Sequence, residues 1–223
     1  MRMSSKCHPE RERGIRGVGS ARSERRATPP ARFLAPLGMT LGLLLLLTGC
    51  SLFSRSQSKF YSLQPMAAAA VANVRGTPIG IDSIELPPGF DRREIIVRRP
   101  DHQLEVRGTE QWSASLAQSV LHTLAFDLAS RLREGMVILP GAAMPNGPMR
   151  SIDIAFEELG AGPDAKVVLH AHWTVRESGR PDVTHRERLA IDIASLDSAN
   201  IAAGMSQALA ALADRIVAGL SAA

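Results

Sequence analysis

The sequence has few of the residues on which several common classes of protein depend. Only 2 of its 223 residues are cysteine, which excludes a framework of several disulfides. Aromatic residues make up 4% of the chain, which disfavours a base-stacking or sugar-binding platform. The hydrophobic share of 45% is ordinary for a globular protein, so the chain can bury the core of one or two domains.

The motifs of two large enzyme classes are absent as well. The sequence contains neither a Gly-x-Ser-x-Gly nucleophile elbow nor a Gly-x-x-x-x-Gly-Lys phosphate loop. Carboxylates occur in the runs Asp91-Arg92-Arg93-Glu94 and Glu157-Glu158, and charge runs beside strands are typical of a solvated edge. We therefore expect no catalytic residue and no enzymatic activity.

The excess of basic residues is confined to one end of the sequence. The formal net charge is +4, yet residues 1–33 hold nine basic and three acidic residues, and residues 34–49 hold none. The 17 basic and 19 acidic residues that remain make the part after residue 49 mildly acidic. This part lacks the basic footprint of a nucleic-acid-binding protein, so we expect no nucleic-acid partner.

The N-terminal part has the layout of a secretory signal peptide. Basic residues up to Arg32 precede a short apolar run that ends at residues 43–47. This run falls short of the roughly 20 residues that a bilayer span needs. The following Leu47-Thr48-Gly49-Cys50 resembles the bacterial lipobox, in which the cysteine thiol receives diacylglycerol and cleavage leaves an acylated N-terminus.

The lipobox resemblance predicts how the N-terminal part is processed. Residues 1–49 would be removed as a basic extension and lipoprotein signal peptide, with Leu47, Thr48 and Gly49 as recognition residues. Cys50 would carry diacylglycerol and a palmitate-type acyl chain, and we expect no other cofactor. The alternative is an ordinary signal peptide beside a free cysteine.

The residue after the cysteine bears on the destination of the lipoprotein. Ser51 stands where an Asp would favour retention in the inner membrane. By resemblance to that sorting rule, we expect the protein in the cell envelope, anchored by lipid to the outer membrane and facing the periplasm. Residues 50–58 would form the lipidated tether, and residues 59–223 one domain.

Short apolar runs separated by turn residues predict strands over most of this domain. Pro100-Asp101-His102 is typical of a hairpin turn, and the last three strands form a predicted antiparallel meander. The predicted strands are 60–63, 79–86, 95–97, 104–106, 136–139, 152–156, 167–175 and 189–193.

Two helices are predicted from apolar residues that recur at helical spacing. The first runs from about residue 110 to 133, with Thr109 as N-cap and Trp112 in its first turn. The second begins at Asp197 or Ser198. The expected fold class is a single α+β domain, in which two long helices pack on one face of a mainly antiparallel sheet.

The histidines are the strongest candidates for a metal site. His170 and His172 lie two apart on a predicted strand, so their side chains share a face. A third ligand could come from His185 or Glu187 on the next strand. The simpler interpretation is a polar, solvated face, so we expect no metal, and a hydrolase is only a third alternative.

Several segments in a fixed order resemble one protein family. Phe60-Tyr61-Ser62-Leu63 follows the lipobox cysteine, residues 86–98 read Leu-Pro-Pro-Gly-Phe-Asp-Arg-Arg-Glu-Ile-Ile-Val-Arg, and Trp112 starts the predicted helix. This order resembles the ABC-type transport auxiliary lipoproteins, the PqiC-like component of MCE transport systems, over residues 50–223. Pro88-Gly89-Phe90 and Arg93-Glu94 depart from the family pattern.

The resemblance implies a non-catalytic lipoprotein that supports membrane integrity. Its partners would be the phospholipid membrane and an MCE-domain protein with its ABC permease and ATPase. Its cargo would be a lipid or another hydrophobic solute. A ring-like homo-oligomer is a further possibility that the resemblance leaves open. The rival function is a lipoprotein assembly or plug factor for lipopolysaccharide or outer-membrane protein insertion.

The charged segment around residues 91–98 is the predicted partner contact. Charges flank an apolar strand there, which is typical of an edge that meets a partner by strand addition. The predicted docking residues are Asp91, Arg92, Ile95, Ile96 and Val97. An ordinary edge strand protected by its charges is the alternative.

Overall fold

The computed structural model describes residues 57–68 and 72–222. The predicted signal peptide, the recognition residues Leu47, Thr48 and Gly49, and Cys50 therefore lie outside the described residues. The described elements, in chain order, are β1 (Lys59–Tyr61), β2 (Ile79–Glu85), β3 (Glu94–Arg98), β4 (Leu104–Trp112), α1 (Leu116–Arg131), β5 (Val137–Ile138), β6 (Arg150–Ala161), β7 (Lys166–Glu177), β8 (Val183–Asp192) and α2 (Ser198–Ala222).

The strands form one sheet around β6. β7 pairs with β6 along its whole length on one edge, and β8 pairs with β7. On the opposite edge, β2 runs parallel to the first half of β6, and β3 meets the far end of β6 through Val97 and Ala161. β5 lies beyond β2, while β4 and then β1 lie beyond β3.

The expectation of a mainly antiparallel sheet needs correction, because the sheet is mixed. The β3–β4, β6–β7 and β7–β8 pairs are antiparallel, as the predicted hairpin and meander require. The β1–β4, β2–β5, β2–β6 and β3–β6 pairs are parallel. Parallel partners are distant in sequence, so alternation within each strand carries no information about them.

The two helices cover one face of the sheet, as predicted for this α+β fold. Along β7 the odd-numbered residues Val167, Leu169, Ala171 and Trp173 are all buried, and α2 packs against this strand, β8 and α1. By length and composition, α2 could cross a membrane, but 67% of its apolar window is buried inside the domain. It therefore occupies the position of a core helix.

The start of α1 differs from the prediction. Trp112 ends β4 rather than opening a helix, and it pairs with Tyr61 of β1. The N-cap is Ser115, whose hydroxyl accepts a hydrogen bond from the backbone N–H of Gln118 at 3.3 Å, so Thr109 is not the cap. Trp112 is buried like the helical leucines after it, which is why its spacing imitated a helix turn.

Two glycines allow α2 to lie close to the sheet. A Cβ on Gly204 would lie 2.5 Å from Ile193 Cγ2 and 2.9 Å from Val167 Cγ2. A Cβ on Gly219 would lie 2.6 Å from Cη2 of Trp173. Both distances are shorter than van der Waals contact, so the helix can approach only where the side chain is absent.

Substitution Gly204→Ala is predicted to destabilise the domain by about 1–3 kcal/mol, because overpacking outweighs the gain in helix propensity. Gly147→Ala is the matched control, since nothing lies within 4 Å of the position of its Cβ. Urea denaturation of both variants checks the prediction. Equal free energies of unfolding for the two variants would show that α2 can move outward without loss.

A buried ion pair joins α1 to α2 and to the chain after β1. Asp127 is completely buried, and its Oδ1 accepts a hydrogen bond from the backbone N–H of Met66 at 2.7 Å. Arg131 lies 3.6 Å from the same oxygen and donates from Nε to Asp214 Oδ1 at 2.6 Å. Burial raises the pKa of Asp127 to about 6, despite the opposing effects of Met66 and Arg131.

The raised pKa predicts a stability that falls with rising pH. Between about pH 4 and pH 6 the folded protein keeps a proton on Asp127 that the unfolded chain has released, so stability is lost through this window. The substitution Asp127→Asn removes this titration but keeps an acceptor for Met66. Relative to wild type, the variant should gain up to about 3 kcal/mol between pH 4 and pH 7.

Urea denaturation at several pH values measures this difference. Asp101→Asn, in the exposed hairpin turn, is the control and should follow the wild-type curve. Parallel curves for wild type and Asp127→Asn would contradict the prediction, because they would mean that folding leaves the pKa of Asp127 unchanged.

Candidate docking surface

One stretch of the sheet edge is both unpaired and apolar. β1 covers only the last three residues of β4, from Glu110 to Trp112. Among the described residues, no strand pairs with the outer side of β4 from Leu104 to Thr109, and Leu104 is 51% and Val106 45% exposed. Phe60, on the short neighbouring strand β1, is 60% exposed. We call Leu104–Thr109 and Phe60 the free edge.

The free edge is held rigidly from behind. Arg107 donates to the carbonyl oxygen of Leu196 at 2.6 Å and to Ser198 Oγ at 2.7 Å, which ties β4 to the start of α2. Its Nε also lies 3.0 Å from Oε1 of Glu105. Hydrogen bonds from Arg107 and Arg99 hold the pKa of Glu105 below its usual value, so this carboxylate stays charged at neutral pH. The edge is therefore preorganised rather than flexible.

A shallow apolar groove continues from β1 onto α2. Its walls include Tyr61, Met66 and the small α2 residues Ala199, Ala202 and Ala203, and its volume is about 420 Å³. The backbone N–H of Gln64, which follows β1, donates to Ser206 Oγ of α2 at 3.0 Å. The groove thus lies on the α2 side of β1, and Phe60, which alternates with Tyr61 along the strand, does not line it.

The predicted docking strand occupies a different position from the expected one. β3 lies between β4 and β6, and Ile95 and Val97 are completely buried. Ile96 is 9% exposed. The expectation of an edge at β3 is therefore wrong for the described sheet, because β4 pairs with one side of β3 and Ala161 of β6 pairs with Val97 on the other. The three apolar residues belong to the core.

The two charged residues of that prediction lie in the turn before β3. Asp91 Oδ1 accepts a hydrogen bond from the backbone N–H of Ala117 at 3.1 Å, so it helps to cap α1. Arg92 is exposed and lies 3.2 Å from Glu94. Both have structural contacts, and a contact of either with a partner stays a prediction.

The histidine pair lies on one face of β7, as predicted, but the suggested third ligands do not. Nδ1 of His170 and Nδ1 of His172 lie 3.0 and 3.5 Å from Glu157. His185 is the cross-strand neighbour of Trp173 and stacks on its ring with a centroid distance of 4.1 Å, which places it on the opposite face. Within the described part of the chain, no cluster of three ligand side chains is present.

The free edge was missed in the sequence although one signal for it was available. Leu104 and Val106 alternate with Glu105 and Arg107, a pattern that predicts which side chains share a face. The pattern alone does not say which of the two faces is directed to the core. In the structure Arg107 is directed towards the start of α2, where it finds carbonyl and hydroxyl partners, and Leu104 and Val106 are exposed on the other face.

Comparison with solved structures supports the fold. A crystal structure of an uncharacterised protein superposes with a TM-score of 0.60 at 14% identity, covering 74% of this chain and 99% of the other. A Xanthomonas campestris protein under the family model DUF330 gives a TM-score of 0.56 at 14% identity, covering 71% and 92%. At this identity the likeness concerns the fold alone.

The sequence itself provides the assignment. Among curated proteins, no sequence matches the chain. The family model for the ABC-type transport auxiliary lipoprotein component matches residues 61–217, from β1 into the last turns of α2. The match includes β2 to β8, α1, most of α2 and residues 104–109 of the free edge, so the resemblance seen in the sequence is confirmed. This chain belongs to the family of ABC-type transport auxiliary lipoprotein components.

Proposed function

We propose that this protein is a non-catalytic docking subunit of an MCE-type ABC transport system for lipid or another hydrophobic solute. Its acylated Cys50 would anchor it to the outer membrane on the periplasmic side, and the free edge would bind the MCE-domain protein. The single observation that carries the docking role is the rigid, apolar stretch of β4 with which no described strand pairs on its outer side. A working complex of this kind would support membrane integrity.

The proposed anchor would keep this surface near the membrane. Eight residues lie between Cys50 and Lys59, the first residue of β1, so nine residue-to-residue steps join them. Fully extended, they span at most about 32 Å, which is comparable to the thickness of a bilayer core. A partner that reaches the outer membrane across the periplasm would thus meet the free edge close to the lipid surface.

Strand addition suits the chemistry of the free edge. The outer N–H and C=O groups of residues 104–109 can form a ladder with an extended segment of the partner, and Leu104 and Val106 can bury apolar side chains of that segment. The main-chain bonds would give affinity and the alternating pockets specificity. An unprotected apolar edge is otherwise an aggregation liability, which is a further reason to expect a cover.

The tether is the competing occupant of the same edge. A straight continuation of the β1 register would bring residues 54–58 opposite residues 105–109 of β4. The described ladder stops at Lys59, because Gln57 and Ser58 form no strand. We therefore assign the edge to the partner.

The double substitution Phe60→Lys and Val106→Lys should reduce the amount of MCE-domain protein that co-purifies by about tenfold or more, since two buried apolar contacts are replaced by charges. Phe126→Lys is the matched control: Phe126 is 45% exposed, like Val106, but lies on α1. The measurement is quantitative mass spectrometry of detergent-solubilised, affinity-purified complexes. Circular dichroism confirms that both variants are folded.

Three outcomes would contradict the proposal. Equal recovery from wild type and the double variant would exclude the free edge as the contact. Recovery of a barrel protein or lipopolysaccharide assembly components in place of the MCE-domain protein would favour the rival assembly or plug function. If a Gly/Ser tether of the same length also abolishes recovery, the contact belongs to the tether sequence and not to the free edge.

A further inference from the structure

A second surface, distant in sequence from the free edge, forms a cavity with charged walls. It has a volume of about 520 Å³ and lies between the start of β6, the turn that joins β7 to β8, and the last turn of α2. This volume is within the range of small-molecule sites. Its walls combine Arg75, Arg150 and Arg180 with a group of apolar residues.

Arg150 is the most unusual of these residues, because its charge is buried. The residue is only 6% exposed. Its Nη2 donates to the carbonyl oxygen of Thr77 at 2.9 Å, and the guanidinium lies against Gly76, where a Cβ would approach Nη2 to 3.2 Å. Gly76 has a φ of +115°, so the loop is shaped to admit the flat guanidinium.

The positive charge of Arg150 has no carboxylate partner within 4 Å among the described residues. Glu177 is its cross-strand neighbour on β7, but Glu177 Oε2 forms an ion pair with Arg180 at 3.3 Å. Burial lowers the pKa of Arg150, since the charged form has lost solvent. Carbonyl oxygens satisfy its N–H groups in part, but they do not neutralise the charge. A buried cation without a carboxylate partner is energetically costly unless an anion binds to it and neutralises its charge.

The rest of the cavity suits an apolar group. Val74, Val175, Val183 and Leu220 line it, and Val183 is 40% exposed, which is high for a valine in a strand. Gly219 adds no side chain at this wall, so the cavity reaches the ring of His185, which stacks on Trp173. One side of the cavity therefore holds three arginines and the single carboxylate of Glu177, and the other side is aliphatic and aromatic.

We propose that this cavity binds an anionic amphiphile, with its carboxylate or phosphate group on Arg150 and Arg180 and its hydrocarbon part against Val183 and Leu220. A guanidinium offers paired N–H donors that match the oxygens of either anion. The site is independent of the docking role, because it involves neither the free edge nor any partner protein. Binding can be measured on the isolated protein.

The experiment compares four probes on the purified protein by isothermal titration and by NMR of the His185 ring. Decanoate and decyl phosphate carry both features, decanol lacks the charge, and inorganic phosphate lacks the chain. We expect saturable one-to-one binding of at least one of the two anionic amphiphiles, with shifts of the His185 ring signals. Decanol and inorganic phosphate should each bind at least about tenfold more weakly. Preference for decanoate or for decyl phosphate distinguishes a fatty acid from a phospholipid-like headgroup.

Variants test whether the cavity is responsible. Arg180→Gln should weaken binding by about fivefold to tenfold, because one charge-assisted contact is lost while Arg150 still holds the loop. Val183→Asp should weaken it at least as much. Arg133→Gln, an exposed arginine after α1, is the control and should bind like wild type.

Three results would overturn the proposal. Equal affinity for decanol and decanoate would mean that the arginines play no part. Binding that does not saturate, or that leaves the His185 signals unmoved, would place the amphiphile elsewhere on the surface. Unchanged affinity in both Arg180→Gln and Val183→Asp would assign Arg150 a purely structural role in holding the carbonyl oxygen of Thr77. None of these results would affect co-purification through the free edge.

Discussion

One edge of β6 pairs with β7, and the opposite edge pairs first with β2 and then with β3. Because β2 and β3 share this second edge, their positions determine where the remaining strands can lie. Because β3 continues the position of β2 beside β6, its hairpin partner β4 is directed away from the centre of the sheet. β1 is too short to cover β4, so Leu104–Thr109 is left without a neighbour among the described strands. The free edge is therefore a consequence of how β6 is paired. The same strand begins with Arg150, so β6 also supplies the buried charge of the cavity.

The parts of the fold that depend on local order were predictable from the sequence. Turn residues and alternation predict the hairpin at His102, which has a positive φ, and the final meander. Asp197 predicts the start of α2, and its Oδ1 accepts a hydrogen bond from the backbone N–H of Asn200 at 2.9 Å. The predictions that were wrong concern features that depend on pairing between segments distant in the sequence. An apolar strand flanked by charges is compatible with an edge or with the interior, and only the parallel contact of Val97 with Ala161 decides for β3. The contacts of Arg107 could not be predicted either, because its partners Leu196 and Ser198 lie about 90 residues away in the sequence.

Membership in the transport auxiliary family and the geometry of the domain point to the same kind of work. The free edge and the charged cavity are two separate surfaces. The free edge exposes apolar strand residues, and the cavity contains a guanidinium without a carboxylate partner among the described residues. Both features are energetically unfavourable, and a binding partner would remove the penalty in each case. The dense packing of α2 through Gly204 and Gly219 holds both surfaces in place, since α2 contacts the back of β4 at one end and the cavity at the other. Binding on this scaffold requires little reorganisation of the domain.

The central claim is that the free edge contacts the MCE-domain protein at the membrane, and site-specific photo-crosslinking in living cells tests it most directly. A photoreactive amino acid placed at Val106 should give a crosslink to the MCE-domain protein, and the same group at Phe126 should give none. The contrast depends only on location, because both side chains are 45% exposed. Crosslinks from the two positions to the same set of proteins, or from Val106 to a barrel protein alone, would contradict the account.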